Sequence, residues 1–162
     1  MTPTVAERIQ SLAGQYADPR FNIFDVQAEE SPAGISLRGR VLEESQRAAL
    51  RAALAGSVVD DSAVQVLHKG ARRVAVAANL THLQAQPAWV SEVWSMLRAG
   101  EMLDVLEEQG RWALVRQDDG YLGYAYLPYL TEAGPLPATH MVIAPQGLLR
   151  AAPNGRLIGR IM

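Results

Sequence analysis

Residues 97–130 constrain the fold more than any other part of the chain, because short apolar stretches alternate there with turn residues. Residues 102–106 and 112–115 are rich in apolar and β-favouring side chains, which suit a half-buried strand. Glycines and an Asp-Asp-Gly sequence separate such stretches, and these residues tolerate the backbone angles of tight hairpin turns. Strands this short and this closely spaced are typical of a small β-barrel. We therefore predict a barrel for residues 70–133.

The same segment carries glycines and aromatic residues in a specific order. The order is Gly100, then Gly110 with Trp112, then Asp119 with Gly120, then Gly123 with Tyr124 and Ala125, and finally Tyr129 with Leu130. This order resembles the bacterial SH3-like family, whose members are small barrels. The resemblance implies a domain that accompanies enzymes of the bacterial cell wall and that binds or positions peptidoglycan without catalysing a reaction.

A second copy of the pattern begins near the C-terminus. In the SH3-like family an arginine stands near the end of the first strand. Residues 83–87 have Gln84 at this position, whereas residues 149–153 have Arg150. The two stretches align with a two-residue deletion in the loop, which pairs Leu83 with Leu149 and Val93 with Leu157 and gives a repeat of about 65 residues. The second copy ends after two strands, which leaves strand edges unpaired. We therefore expect the chain to be part of a longer protein.

Residues 1–69 show a different pattern, in which helix and strand signals alternate. Thr4 and Glu7 have the spacing of a capping box and precede apolar residues at helical intervals. Two stretches of alternating apolar and polar residues follow, and then a stretch of strong helix formers. The predicted elements are a helix at residues 4–17, strands at 24–28 and 35–41, a helix at 43–55 and a strand at 62–67.

The strand at residues 35–41 reads Ile-Ser-Leu-Arg-Gly-Arg-Val and leads directly into a helix rich in Glu, Gln and Ala. This order resembles the BON domain of bacterial envelope proteins, and the resemblance implies contact with a membrane or an envelope partner. The alternative is a spacer that only packs against its neighbour. The predicted fold class is α+β, with a BON-like α-β-β-α-β domain at 1–69, an all-β SH3-like barrel at 70–133, and a linker with the first strands of a second, partial barrel at 134–162.

Composition limits the partners and the compartment. The chain has 162 residues, of which 49% are hydrophobic, so it can bury one ordinary core or two small ones. A net charge of -2 gives no general attraction to nucleic acid or anionic lipid. No apolar run approaches the roughly eighteen residues of a membrane span, and the first residues lack a secretory signal. We expect a cell-envelope or secreted protein if a leader was removed, and a cytoplasmic protein if the chain is complete as written.

The usual catalytic and metal-binding arrangements each lack a member. The chain contains no cysteine, and His68, His82 and His140 stand alone, without the paired spacing of zinc ligands. Adjacent carboxylates such as Glu107 and Glu108 point to opposite faces of a strand, so they cannot converge on one substrate atom. No nucleophile elbow or phosphate-binding glycine loop occurs. We therefore expect no catalytic residue, no metal site and no cofactor.

Residues 68–73 hold four potentially positive side chains between the two predicted domains, and two interpretations stay open. The segment is either a contact for an anionic wall polymer or phospholipid, or a solvated linker. A nucleic-acid partner would require a broad basic face with interleaved aromatic residues, and the sequence contains neither, so we expect no such partner.

Aromatic residues are the strongest candidates for ligand contact, since sugar rings and peptides dock on exposed aromatic faces. In the SH3-like pattern, Trp112 and Tyr129 fall where a small barrel needs large core fillers. Trp89 lies in a loop after a proline, and Tyr121 stands beside the Asp-Gly turn, so we expect both to be exposed. The predicted ligand-binding residues are Trp89, Tyr121, Tyr126 and, at the arginine position of the family pattern, Arg150.

Together these features favour a non-catalytic region of a bacterial cell-wall protein. By resemblance, the parent protein would be a murein-peptide endopeptidase with an NlpC-type cysteine peptidase domain that is missing here, and the partners would be peptidoglycan or its peptide stems. The alternative is an envelope adaptor that holds a protein partner or a phospholipid surface and has no enzyme attached.

Overall fold

The computed structural model describes residues 3–132 and 146–161, and it confirms the predicted α+β class. The described strands form a three-stranded sheet, a seven-stranded sheet and a two-stranded hairpin. The first sheet and both helices make up what we call the N-terminal unit. Its elements are α1 (Val5–Gly14), β1 (Phe24–Ser31), β2 (Gly34–Val41), α2 (Glu44–Ala53) and β3 (Val59–Val66).

Local signals account for the N-terminal unit. The Thr4 hydroxyl accepts a hydrogen bond from the Glu7 amide at 3.2 Å, and the Thr4 amide donates to the Glu7 carboxylate at 2.7 Å, so the predicted capping box begins α1. β1 and β2 are antiparallel, and α2 returns the chain so that β3 lies parallel to β2. Gly39 has a φ of 129°, and a Cβ there would lie 2.1 Å from the Asp25 carbonyl oxygen, so only glycine fits. Apolar residues of both helices and the sheet form the core of this unit.

The seven-stranded sheet has the order β10-β4-β7-β8-β9-β5-β6. Its strands are β4 (Arg72–Val76), β5 (Leu80–Gln84), β6 (Val93–Arg98), β7 (Met102–Gln109), β8 (Trp112–Gln117), β9 (Leu122–Tyr126) and β10 (Leu130–Thr131). The loosely alternating sequence of residues 74–83 predicts a single first strand for this barrel, and that prediction is wrong, because the chain forms two strands there. After β4 the Ala77 amide donates to the Tyr129 carbonyl at 2.8 Å, and the chain then crosses to pair with β6 at the other end of the sheet.

One apolar core lies inside this sheet. It combines buried side chains from strands near both ends, including Val74 and Val76 of β4 and Leu97 of β6, so the sheet curves around it. Gly123 of β9 faces this core, and a Cβ there would lie 2.5 Å from Cγ of Leu83. The close approach of β5 to β9 therefore depends on this glycine.

A third apolar cluster joins the N-terminal unit to the seven-stranded sheet, and we call this contact the seam. Leu42 and Leu67 directly follow β2 and β3, and they pack against three leucines of the sheet, Leu106, Leu114 and Leu122. All five are buried. The Leu122 amide also donates to the Arg20 carbonyl at 2.7 Å. We expect the burial of apolar area at the seam to couple the folding of the two parts.

The C-terminal hairpin consists of β11 (Gly147–Arg150) and β12 (Leu157–Ile161). In this hairpin Leu149 pairs with Gly159, and in the hairpin of β5 and β6 Leu83 pairs with Ser95. In both hairpins the strand register shifts at the next residue. This pairing is the one that the internal sequence alignment requires. The side-chain amide of Asn79 donates to the Arg160 carbonyl and so links the hairpin to the sheet. Residues 133–145, which include most of the predicted linker and His140, lie outside the described residues.

Candidate aromatic binding site

Four aromatic side chains of the seven-stranded sheet contact one another, and we call them the aromatic cluster. They are Trp89, Trp112, Tyr126 and Tyr129. The Trp89 ring lies 4.7 Å from the Tyr126 ring and 5.0 Å from the Trp112 ring, measured between centroids. Tyr126 lies 5.1 Å from Tyr129. Tilted and edge-on contacts of this kind stabilise each pair and fix the ring orientations.

The members of the aromatic cluster differ in exposure. Trp112 is only 9% exposed and forms the base of the cluster, whereas Trp89 is 55% exposed and Tyr129 is 39% exposed. Two large ring faces therefore meet solvent while their neighbours hold them in place. Exposed aromatic surface supported from below is typical of a binding surface, because binding costs little side-chain ordering.

Adjacent strand ends position the cluster. Trp112 begins β8 and pairs directly with Tyr126 at the end of β9. Tyr129 follows in a 3₁₀ turn at Leu127–Tyr129, and the Leu127 amide donates to the Arg111 carbonyl at 2.9 Å. Three of the four rings are thus placed by one strand pair and its turn.

Trp89 is placed separately, by the loop between β5 and β6. The Ala85 amide donates to the Glu92 carbonyl at 2.8 Å, and the Gln86 amide donates to the Ser91 hydroxyl at 2.9 Å, which closes the loop. Gln84 is buried beneath it, and its side-chain amide is assigned the orientation that satisfies both ends, in which the nitrogen donates to the Ser91 carbonyl at 3.1 Å and to the Glu92 carbonyl at 3.2 Å. Gln84 is therefore a positioning residue for the loop that carries Trp89.

Replacing Gln84 with methionine should loosen this loop while the apolar shape of the site is kept. The Ser91 carbonyl loses its donor and the Glu92 carbonyl keeps only the Ala85 amide, which we expect to lower the free energy of unfolding by about 0.5–1.5 kcal/mol. The measurement uses a protein whose other tryptophans are replaced by phenylalanine, so that Trp89 alone fluoresces. In this background we expect acrylamide to quench Trp89 more efficiently when Gln84 is replaced by methionine than when Gln84 is kept. Gln86→Met, at an exposed position of the same loop, is the matched control. Equal quenching in both variants would show that Gln84 does not hold the loop.

The cluster brings together two of the four residues predicted from the sequence, Trp89 and Tyr126. Tyr121 lies at the opposite end of β9, where its ring packs edge-on against Phe21 at 5.0 Å. Arg150 lies on the C-terminal hairpin and donates to the Gly155 carbonyl at 2.9 Å. Arg150 occupies the position in the C-terminal hairpin that Gln84 occupies in the hairpin of β5 and β6. Each of these two side chains contacts a carbonyl group in the loop of its own hairpin.

Tyr129 is the cluster residue that the sequence analysis misplaced, since the expected core filler is substantially exposed. The signal was present in the sequence, because Pro128 precedes Tyr129. A proline interrupts the strand ladder and moves the next side chain out of the alternating pattern. Tyr129 accordingly lies in the 3₁₀ turn rather than in a strand.

The cavity beside Tyr121 is a weaker candidate site. Its volume is about 360 Å³, and Arg20 and Trp94 also line it. The Arg20 guanidinium already donates to both oxygens of Asp18, at 3.0 and 2.8 Å. This pairing lowers the pKa of Asp18, and it occupies donors of the Arg20 guanidinium that a ligand would need.

Three side chains of the basic segment at residues 68–73 also contact acidic side chains. Arg72 pairs with Glu108, and Arg73 pairs with Asp118 and with Asp104, which together raise the pKa of Arg73. His68 lies 3.1 Å from a carboxylate oxygen of Glu43 and 3.7 Å from a carboxylate oxygen of Asp104 in the sheet. Arg72 and Arg73 are thus solvated, with side chains 42% and 44% exposed, and they are partly neutralised by acidic side chains of the sheet, which leaves less charge for an anionic ligand.

In the described part of the chain, neither a metal site nor a membrane-spanning helix adds another candidate site to the aromatic cluster, and comparison with protein families and curated proteins points to none. Within residues 3–132 and 146–161, no three His, Cys, Asp or Glu side chains are grouped so that they could hold a metal ion. Neither helix in this part of the chain is long and apolar enough to cross a membrane. No protein-family model and no curated protein matched the sequence.

Proposed function

We propose that the chain is a non-catalytic region that binds peptidoglycan and positions it through the aromatic cluster. The observation that carries this proposal is the exposure of Trp89 and Tyr129 on a supported aromatic base. Ring faces of this kind suit the apolar faces of sugar rings and the backbone of a short peptide. In this proposal the seven-stranded sheet is an SH3-like barrel and the N-terminal unit is a BON-like domain.

The proposed parent protein is a murein-peptide endopeptidase located in the cell envelope. The chain contains no cysteine, so an NlpC-type nucleophile would belong to a separate catalytic domain. The pairing of β11 with β12, which repeats that of β5 with β6, supports a second SH3-like repeat beginning at the C-terminal hairpin. The role of this chain would then be to bring the wall to the peptidase.

A second candidate function is an envelope adaptor that binds a protein. The observation in its favour is the exposed apolar surface of the C-terminal hairpin, which includes Leu148, Leu149, Leu157 and Ile158. Exposed apolar patches commonly mark protein contacts. A phospholipid surface is the other adaptor partner that we consider.

Cosedimentation separates these functions. We expect the chain to sediment with purified sacculi and to stay in the supernatant with liposomes of mixed anionic and neutral lipids. Sedimentation with liposomes alone would favour the adaptor, and no sedimentation with sacculi would contradict the peptidoglycan proposal.

Replacing Tyr129 with alanine should weaken the binding of sacculi about tenfold, because it removes one of the two exposed ring faces. The fold should persist, since the side chain lies in a surface turn. Tyr121→Phe is the matched control, because that ring lies outside the cluster and keeps its contact with Phe21. If Tyr121→Phe weakened binding as much as Tyr129→Ala, the ligand would contact the other end of β9 instead.

A further inference from the structure

Arg111 differs from the other arginines of the seven-stranded sheet in lacking a carboxylate partner among the described residues. The other four sheet arginines pair with acidic side chains: Arg72 with Glu108, Arg73 with Asp104, Arg98 with Glu101, and Arg116 with Glu43. Arg111 is exposed, and its guanidinium carbon instead lies over the Tyr126 ring, 5.0 Å from the centroid. A positive charge therefore stands beside the aromatic cluster without being neutralised there.

The position of Arg111 makes it part of the same surface as the exposed rings. The guanidinium and the Trp89 ring lie 5.0 Å and 4.7 Å from the Tyr126 ring, so they are no more than about 10 Å apart, a distance that a short extended peptide spans. Stacking on Tyr126 also restricts the arginine side chain before a ligand arrives, which lowers the entropy lost on binding. The planar fork of donors on its guanidinium matches a carboxylate in two parallel hydrogen bonds.

We propose that Arg111 binds a carboxylate of the ligand, and that the aromatic cluster therefore recognises the anionic peptide stem of peptidoglycan rather than the glycan strand alone. This inference rests on the proposed peptidoglycan-binding function and names the part of the polymer that is recognised. The rings contact the apolar part of the stem, and the guanidinium selects its charged end. The loop in the C-terminal hairpin, residues 151–156, contains no aromatic residue, so that hairpin does not duplicate the site.

The test uses two soluble muropeptides that differ only in having free carboxylates or the corresponding carboxamides. Isothermal titration of the full chain should show about tenfold tighter binding of the free carboxylate form, as expected for a charge-assisted hydrogen bond. This preference should shrink as salt is added, because ions screen the exposed charge pair. In Arg111→Gln the preference should disappear, while the carboxamide form binds as it does to the unchanged protein.

Two further variants make the result specific. Arg111→Lys keeps the charge but not the fork of donors, so it should retain only part of the preference. Arg98→Gln removes another exposed arginine that lies outside the cluster and should leave both affinities unchanged. If the protein binds both peptides equally, or Arg111→Gln keeps the preference, the role of Arg111 is overturned while the peptidoglycan proposal stands. If the unchanged protein binds neither peptide nor sacculi, both proposals fail.

Discussion

Trp89→Ala is expected to reduce the binding of sacculi at least tenfold, and it should have a larger effect than any other substitution in the aromatic cluster. Trp89 is the most exposed ring of the cluster and contacts the other three members. Removing a central aromatic contact from a binding surface commonly costs 2 kcal/mol or more, which is roughly thirtyfold in affinity. The measurement is a binding isotherm with purified sacculi.

The same substitution should lower stability but leave the fold in place. The lost ring contacts are each worth about 0.5–1.5 kcal/mol, and the side chain lies over the sheet rather than inside its core. Val90→Ala is a closely matched control, because the neighbouring valine is 98% exposed. Trp89→Phe should restore part of the affinity by restoring a ring face. Binding of Trp89→Ala at the original strength, with the fold intact, would exclude the cluster as the peptidoglycan site.

Local patterns predicted those parts of the structure that depend on neighbouring residues. The capping box at Thr4 and Glu7 placed the start of α1, and the strand signals around Trp112 placed β8. The α+β class followed from the sum of such signals. These features depend on interactions within a few residues, so the sequence alone contains the information.

Contacts between distant residues could not be predicted in the same way. Nothing near Glu43 in the sequence indicates that Arg116 donates to it at 2.6 Å, or that His68 also lies against it. For the same reason the pair Trp89 and Tyr126 could be proposed as ligand-binding residues but not as neighbours. Arg111 could not be singled out in the sequence, because it differs from the other arginines of the sheet in having no carboxylate partner among residues 3–132 and 146–161, which only the arrangement of the surrounding carboxylates reveals.

Leu67→Ala is expected to lower the free energy of unfolding of the whole chain by about 2–5 kcal/mol, because the side chain is 1% exposed and fills the seam. Two optical probes can follow the parts separately. Both described helices belong to the N-terminal unit, whereas Trp89, Trp94 and Trp112 all belong to the seven-stranded sheet. In urea unfolding, the midpoint followed by helical circular dichroism and the midpoint followed by tryptophan fluorescence should therefore fall by the same amount.

Leu50→Ala gives the decisive comparison for the seam. Leu50 is as deeply buried as Leu67, but it packs in the core of the N-terminal unit. If the seam couples the two parts, a cavity at Leu50 must also move the fluorescence transition, although no tryptophan lies near it in the sequence. If only the circular dichroism transition moves, the two parts unfold independently and the seam is too weak to couple them. A coupled seam would let the N-terminal unit stabilise the sheet that holds the aromatic cluster.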